Sequence, residues 1–135
     1  MKDIRTFQYF TGNQWHDPIE GQYIESENPA TGEIWARIPD CRQADVDLAV
    51  ANAKSAFYQG PWGRMQPAER GRILRRIGDL ISKSAERLGA IETTDNGKLT
   101  SMITPGLLEG QWLVDSWHYY AGMCDKFEGS LIPAE

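Results

Sequence analysis

Apolar and polar residues alternate in short runs at the beginning of the chain. Within residues 8–15, the pair Gly12-Asn13 separates aromatic and β-branched residues, as a tight hairpin requires. Residues 22–27 form a second extended stretch, and residues 33–38 alternate with the period of a strand. The sequence therefore predicts that the chain begins with short β-strands.

Beyond residue 39 the spacing of apolar residues changes to three and four, which is the period of an α-helix. One apolar stripe runs from Val46 to Phe57, and a second helix opens at Pro67, where proline loses no hydrogen bond that it needs. A third helix is predicted over residues 84–94. The predicted core face of the second helix consists of Ile73, Ile77, Leu80 and Ile81. A helical layer is thus expected to follow the strands.

The last predicted helix runs from Thr104 to Tyr120 and is apolar around much of its circumference. Such a helix is normally buried on several sides, so we expect residues outside this chain to cover it. No repeat or linker divides the sequence, and we interpret residues 1–135 as one structural unit. A strand-like stretch starts at residues 129–135, and we therefore expect the chain to be part of a larger protein.

The composition is that of a globular protein, with 41% hydrophobic and 24% charged residues. The net charge of -5 argues against nucleic acid and anionic membrane surfaces as partners. Residues 1–10 mix charged residues with single apolar ones, which is unlike a signal peptide or a membrane span. Cys41 and Cys124 lie far apart without a CxxC spacing, so we expect reduced thiols in a cytoplasmic protein.

The sequence offers few candidates for chemistry. His16 and His118 have no further metal-binding residue at ligand spacing. An acidic residue follows Cys124 and disfavours its thiolate, whereas Arg42 gives Cys41 a slightly better environment for a reactive thiol. We interpret His16 as a surface residue, His118 as a packed or partly exposed residue, and the two cysteines as unreactive thiols.

Phosphate binding has equally little support. A run of arginines between residues 64 and 76 is interpreted as a solvated helix face. No glycine-rich loop has the spacing and the strand-then-helix context in which backbone amides cradle a phosphate. We therefore assign no catalytic residue and no cofactor-binding residue to this chain.

Several short motifs are informative in their combined order. They are Gly12-Asn13-Gln14-Trp15, Asn28-Pro29-Ala30-Thr31-Gly32-Glu33, Trp62 before Pro67-Ala68-Glu69-Arg70-Gly71, Asp95-Asn96-Gly97-Lys98, and Tyr119-Tyr120-Ala121-Gly122 before Gly129 and Ile132-Pro133. In this order they resemble the amino-terminal region of the aldehyde dehydrogenase superfamily, and the resemblance extends from about residue 10 to residue 135.

The resemblance implies an α/β, Rossmann-like fold, of which this chain forms the amino-terminal and mostly helical part of the cofactor-binding domain. It implies oxidation of an aldehyde to a carboxylic acid with NAD(P)+, through a cysteine nucleophile and a general-base glutamate. In that family these residues, the oxyanion-hole asparagine and the nucleotide-binding residues lie later in the chain. We therefore expect the catalytic domain to be absent and this chain alone to be inactive, with NAD and NADP both open.

A few peripheral roles follow from the same resemblance. The last helix resembles one that lines the substrate entry tunnel, which implies that Leu108 and Trp112 shape aldehyde selectivity. Packing in the core is the alternative for both residues. Asp95, with backbone carbonyl groups near Ser26 and Glu27, matches a place where some members bind a monovalent cation. The alternative for Asp95 is an exposed residue at a helix end.

Residues 129–135 resemble the beginning of the arm through which subunits associate. This implies a homo-oligomer, a dimer or a tetramer, in the complete protein, with the remainder of the enzyme and an aldehyde as further partners. A different hypothesis is a non-catalytic binding or regulatory module that kept this scaffold and presents its apolar helix face to a partner. A cooperative melt of a monomeric chain would favour that module.

Overall fold

The computed structural model describes residues 4–103 and 112–129. Five strands come first: β1 (Arg5–Thr6), β2 (Tyr9–Thr11), β3 (Gln14–His16), β4 (Tyr23–Asn28) and β5 (Glu33–Pro39). Helices α1 (Gln43–Tyr58), α2 (Pro67–Lys83), α3 (Ala85–Asn96), α4 (Thr100–Ile103) and α5 (Leu113–Met123) follow, with a 3-10 turn at Trp62–Arg64. The predicted order of short strands and then helices is confirmed.

The chain divides into two compact units. The first unit is Met1–Arg64 with Ala90–Leu99, and the second is Met65–Gly89 with Thr100–Glu135. None of the helices in the described ranges is long and apolar enough to cross a membrane. Each unit has its own packing.

A three-stranded sheet organises the first unit. Its order is β1-β5-β4, with β1 parallel and β4 antiparallel to the central β5. Ala36 lies at the middle of β5 and is fully buried. β2 and β3 form a separate hairpin, in which Gly12 and Asn13 take positive φ angles of 57° and 63°. These angles are those of a type I′ turn, so the predicted Gly-Asn hairpin is confirmed.

Helix α1 lies against the hairpin. Asn52 Nδ2 donates a hydrogen bond to Thr11 Oγ1 at 3.4 Å, and a Cβ atom added at Gly12 would lie 2.9 Å from Asn52 Nδ2. Glycine at position 12 therefore serves both the turn and the close approach of the helix. The predicted apolar stripe of α1 is nevertheless open, since Val50 and Phe57 are 58% and 55% exposed.

The second unit is built on the packing of α2 against α5. Gly71 and Gly78 are the buried residues of α2, and the carbonyl oxygen of Ala121 would lie 2.6 Å from a Cβ atom at Gly71. A second cluster forms where Ala85 and Ile103 are buried together. Its half-buried members are Ile81, Leu88 and Leu113.

This arrangement corrects part of the core face that the sequence predicts for α2, although Ile81 does pack against the buried cluster. Ile73 and Leu80 are 40% and 53% exposed, whereas the glycines on the neighbouring face are buried. The apolar pattern misleads because close helix contact requires small residues, which carry no hydrophobic signal. The exposed arginines Arg72, Arg75 and Arg76 agree with a solvated face.

The last helix also differs from its prediction. α5 begins at Leu113, after Trp112 at the cap position, although the apolar pattern predicts a helix that already includes Trp112. The predicted start at Thr104 and residue Leu108 lie outside the described residues, as do residues 130–135. The third helix ends at Asn96, and Gly97 takes a φ of 74° there, so the helix stop that the sequence predicts at Asn96-Gly97 is confirmed.

Candidate functional site

The predicted tunnel residue Trp112 stands at the amino end of α5 and is 75% exposed. Its backbone oxygen accepts a hydrogen bond from Ser116 Oγ at 2.5 Å. Its side chain is therefore on the surface and not in the core of the second unit. The other predicted tunnel residue, Leu108, lies outside the described residues.

A cavity of about 430 Å³ opens beside Trp112. Its lining residues are Trp112, Asp115, Ser116, Tyr119 and Tyr120. They recur at spacings of three and four, so they share one side of the helix. The rings of Tyr119 and Tyr120 meet edge to face, with centroids 5.2 Å apart.

A second cavity of about 380 Å³ lies where α5 meets α2. It is lined by Leu74, Leu113, Ser116, Trp117 and Tyr120. No charged residue is among them, and Ser116 and Tyr120 belong to both cavities. The α5 surface therefore offers a polar, aromatic hollow beside an apolar one.

The predicted cation residues Ser26 and Asp95 are brought together in the first unit. Ser26 lies in β4 and Asp95 near the end of α3, and Ser26 Oγ donates to Asp95 Oδ1 at 2.6 Å. Trp35 Nε1 donates to Ser26 Oγ at 3.2 Å. The hydroxyl group thus links an indole donor on β5 to a carboxylate on α3.

A β-bulge in the pairing of β4 with β5 lies beside Ser26 and Trp35. Ser26 pairs with Ala36 and Glu27 pairs with Ile34, so Trp35 is an extra residue on β5. A bulge re-aims the side chain of the extra residue and leaves part of the ladder unpaired. Glu27 is exposed at this interruption.

The turn after α3 packs against the turn that follows β4. Gly97 takes a positive φ, and a Cβ atom added there would lie 2.9 Å from Pro29 Cγ. Lys98 N donates to Asn96 Oδ1 at 2.9 Å. The motif residues Pro29, Asn96 and Gly97 therefore fix the end of α3 beside the turn that follows β4.

A buried carboxylate lies at the start of α1. Asp45 is 1% exposed, and it accepts hydrogen bonds from the backbone nitrogens of Arg42 and Ile19, both at 2.9 Å. These bonds, with the Arg42 bond first, lower the pKa of Asp45 below its ordinary value. Asp45 complements the helix dipole, and its hydrogen bond to Ile19 also fixes the loop before β4 to the start of α1.

Tyr9 borders this carboxylate. Burial, and then the neighbouring Asp45 carboxylate, raise the pKa of the Tyr9 phenol. The hydroxyl oxygen is buried without a well-formed hydrogen bond to any described residue. Its ring stacks on His16 at a centroid distance of 5.4 Å, so His16 is partly buried in the hairpin and not simply on the surface as expected.

His118 also has a structural environment. Its Nε2 atom lies 3.0 Å from Asp79 Oδ1, and its ring would lie 3.0 Å from a Cβ atom at Gly78. The imidazole therefore packs flat on α2 in the space that glycine leaves. In the described part of the chain, no three His, Cys, Asp or Glu residues form a group that could hold a metal ion.

The two cysteines are unpaired. Desolvation, followed by the carboxylates of Asp45 and Asp40, raises the pKa of the Cys41 thiol. The favourable influence expected from Arg42 is therefore wrong, and Arg42 instead contacts Asp40. The Cys41 thiol therefore lacks the electropositive surroundings of a nucleophile. Cys124 Sγ donates to Tyr120 O at 3.4 Å.

The sequence did not single out Asp115, Tyr119 or Trp35 as members of these sites. The first two lie three and seven residues after Trp112, so helical spacing from a proposed tunnel residue could have found them. Trp35 could not be found in this way, because strand alternation places it on the opposite face of β5. The bulge that redirects it has no clear signal in the sequence.

Known proteins with similar sequences agree on one family. The family model described as "Aldehyde dehydrogenase family" matches residues 15–135. A dehydrogenase of Acinetobacter baylyi, named for (Z)-2-((N-methylformamido)methylene)-5-hydroxybutyrolactone, is 39% identical over 132 residues, which are 98% of this chain. Human mitochondrial aldehyde dehydrogenase is also 39% identical, over 129 residues and 95% of the chain. The chain spans about a quarter of the length of these relatives, at 26% and 25%.

Solved structures give the same result. The NAD+ complex of an aldehyde dehydrogenase from Bacillus cereus superimposes with a TM-score of 0.91 at 33% identity, covering 97% of this chain and 26% of that one. An NAD-dependent aldehyde dehydrogenase from Sinorhizobium meliloti gives a TM-score of 0.88 at 32% identity, covering 96% and 25%. The fold class expected from the motifs is confirmed.

Proposed function

Because the chain belongs to the aldehyde dehydrogenase family, we propose that it supplies one part of an enzyme that oxidises an aldehyde to a carboxylic acid with NAD(P)+. The observation that carries this proposal is the match over residues 15–135 together with the agreement of the fold. When bound, the cofactor supplies the hydride acceptor of the reaction. We assign no cofactor-binding residue to this chain.

The catalytic residues belong, in this proposal, to parts of the enzyme beyond these 135 residues. Both cysteines support it, since Cys41 has a raised thiol pKa and Cys124 donates to a backbone carbonyl group. The chain also spans only about a quarter of the length of its relatives. Alone, it is expected not to oxidise aldehydes.

The surface of α5 is the part of this chain that we place against the substrate. Trp112 supports this role, because its side chain is exposed beside a cavity instead of being packed in the core. Leu108 is assigned to the same tunnel from the resemblance alone. In this role both residues select among aldehydes by shape and do not take part in bond making.

Asp95 and the backbone carbonyl groups of Ser26 and Glu27 are proposed to bind a monovalent cation. The contact between Ser26 Oγ and Asp95 Oδ1 supports the proposal, since it brings oxygen atoms of these two residues to one place. Oxygen ligands suit hard cations. The cation is structural here and joins the end of α3 to β4.

We further propose that the chain is the amino-terminal portion of the cofactor-binding domain. Residues 129–135 begin the arm through which a homodimer or homotetramer forms. A cytoplasmic location is proposed as well, and the unpaired Cys41 and Cys124 favour a reducing compartment.

The purified chain provides the test. We expect no aldehyde-dependent formation of NADH or NADPH under conditions in which a full-length relative is active, and steady formation of either would overturn the proposal. Thermal melting followed by circular dichroism tests the regulatory-module alternative, which the exposed apolar residues of α5 support. A cooperative melt of a monomer favours the module, whereas aggregation or a molten state favours a segment of a larger enzyme.

A further inference from the structure

The contact between α2 and α5 is made by small residues. Gly71 and Gly78 are buried on α2, and Ala121 of α5 is buried against Gly71. Packed helices usually fix each other's rotation because ridges of side chains on one helix fit into grooves on the other. Glycine contributes no such ridge. This contact therefore brings the two backbones close together but restrains the rotation of α5 about its axis only weakly.

A single polar pair crosses the same contact. His118 Nε2 on α5 lies 3.0 Å from Asp79 Oδ1 on α2, which is hydrogen-bonding distance. The imidazole also rests on Gly78, where its Nε2 and Cδ2 atoms would both lie 3.0 Å from an added Cβ atom. Among the residues that the structure describes, no other hydrogen bond or ion pair joins side chains of these two helices. The pair is therefore the directional contact between α2 and α5.

The rotation of α5 decides where its other side chains point. The cavity of about 430 Å³ beside Trp112, called the α5 hollow below, is lined by side chains of this helix. His118 is not one of them and lies on the face that packs on α2. Both faces belong to one rigid helix, whose side chains reach about 5 Å from its axis. A rotation of about 20° would therefore move the lining side chains by almost 2 Å, enough to change the shape of the hollow.

We propose that Asp79 and His118 are a positioning pair, which fixes the rotation of α5 and thereby selects the aldehydes that fit the α5 hollow. The inference rests on the proposed function, in which the α5 surface selects the substrate by shape. Neither residue lines the hollow or the apolar cavity beside it. Both act through the helix and do not touch the aldehyde.

The test uses the complete enzyme that contains this chain, with Asp79→Ala as the first variant. The Asp79 side chain is 53% exposed, and alanine has the higher helix propensity, so the substitution removes the partner of His118 without weakening α2. Steady-state kinetics are measured with benzaldehyde, whose ring requires a shaped pocket, and with acetaldehyde, whose methyl group requires little. The KM for benzaldehyde is expected to rise about threefold, as fits the loss of one partly exposed pair. The kcat values and the KM for acetaldehyde are expected to stay unchanged.

Further variants separate positioning from stability. Asp79→Glu keeps a carboxylate and is expected to retain most of the affinity for benzaldehyde. His118→Gln should raise the same KM, and the double variant with Asp79→Ala should raise it no further, because the two residues act as one unit. Arg76→Ala removes another exposed charge of α2 and is the matched control. Melting temperatures are measured alongside, since a purely stabilising role would lower them without changing the preference between the two aldehydes.

An unchanged KM for benzaldehyde in Asp79→Ala contradicts the proposal. An equal rise of KM for both aldehydes, or additive effects of the two substitutions, contradicts it as well. A folded complete enzyme that oxidises neither aldehyde overturns the proposed function and this inference with it. An active enzyme whose aldehyde preference ignores Asp79→Ala overturns the inference alone, so the two failures are distinguishable.

Discussion

At the scale of single residues, Asp45 joins separate segments through one buried carboxylate. Its two oxygens accept hydrogen bonds from Ile19 in the loop before β4 and from Arg42 at the cap of α1. A carboxylate at the third helical position is foreseeable from the sequence as a favourable charge. Its bond to Ile19 is not, because it connects residues that only the folded chain brings together.

In an enzyme that contains this chain, replacement of Asp45 by asparagine is expected to lower the urea midpoint of unfolding at neutral pH. The hydrogen bonds lower the pKa of the folded carboxyl below 3.8, so its contribution is fully present above that value and is lost as the pH falls through the lower folded pKa. The difference between wild type and Asp45→Asn should therefore shrink below pH 3.8. A difference that stays constant to the lowest pH would contradict this role. Glu20→Gln, at an exposed residue, serves as the control.

The proposed cation site can be tested through Asp95. Potassium or sodium chloride should raise the melting temperature of an enzyme that contains this chain above that in Tris hydrochloride of equal ionic strength, because a bound cation stabilises the folded state. At ten times its dissociation constant, the gain is about 1.4 kcal/mol. Asp95→Asn should abolish this difference and Glu20→Gln should retain it. Equal cation responses of wild type and Asp95→Asn would refute the site.

At the scale of elements, small residues decide how α2 meets α5. The apolar spacing predicts the helix α2 and its start at Pro67 correctly, yet it selects Ile73 and Leu80 for the core. The structure buries Gly71 and Gly78 instead. Hydrophobic periodicity identifies side chains that gain free energy from burial. A close contact between helices instead depends on glycine, which has no side chain and gives no hydrophobic signal.

Gly71→Ala tests this contact. The new methyl group would meet the Ala121 carbonyl oxygen at 2.6 Å, and overpacking of this kind costs about 1–3 kcal/mol of unfolding free energy. Gly122→Ala, within α5, meets nothing within 4 Å, and it should instead stabilise by up to about 1 kcal/mol through helix propensity. Urea denaturation of an enzyme that contains this chain measures both effects. Stabilisation by Gly71→Ala would show that the contact does not form.

The sheet follows the same distinction between local and tertiary signals. The Gly12-Asn13 turn is determined by its own two residues, because few other pairs tolerate two positive φ angles, and the sequence therefore predicts it. The bulge at Trp35 depends on pairing with β4 and was not predicted. For that reason the contact between Trp35 and Ser26 was missed, although Ser26 and Asp95 themselves were identified through the family resemblance.

At the scale of the whole molecule, large apolar side chains remain open in both units. Phe57 of the first unit and Trp112 of the second are 55% and 75% exposed. The sequence predicts both helices but not what covers them. In the proposed function, other parts of the enzyme cover these surfaces, and the α5 surface contributes to substrate selection.

The most direct test of this account replaces the matching quarter of the Bacillus cereus aldehyde dehydrogenase with the present chain and measures NADH formation from an aldehyde. The unaltered enzyme is the positive control, and the chain alone is the negative control. We predict that the hybrid forms NADH in an aldehyde-dependent manner and that the chain alone does not. A folded hybrid that binds NAD+ without forming NADH, or activity of the chain alone, would contradict the account.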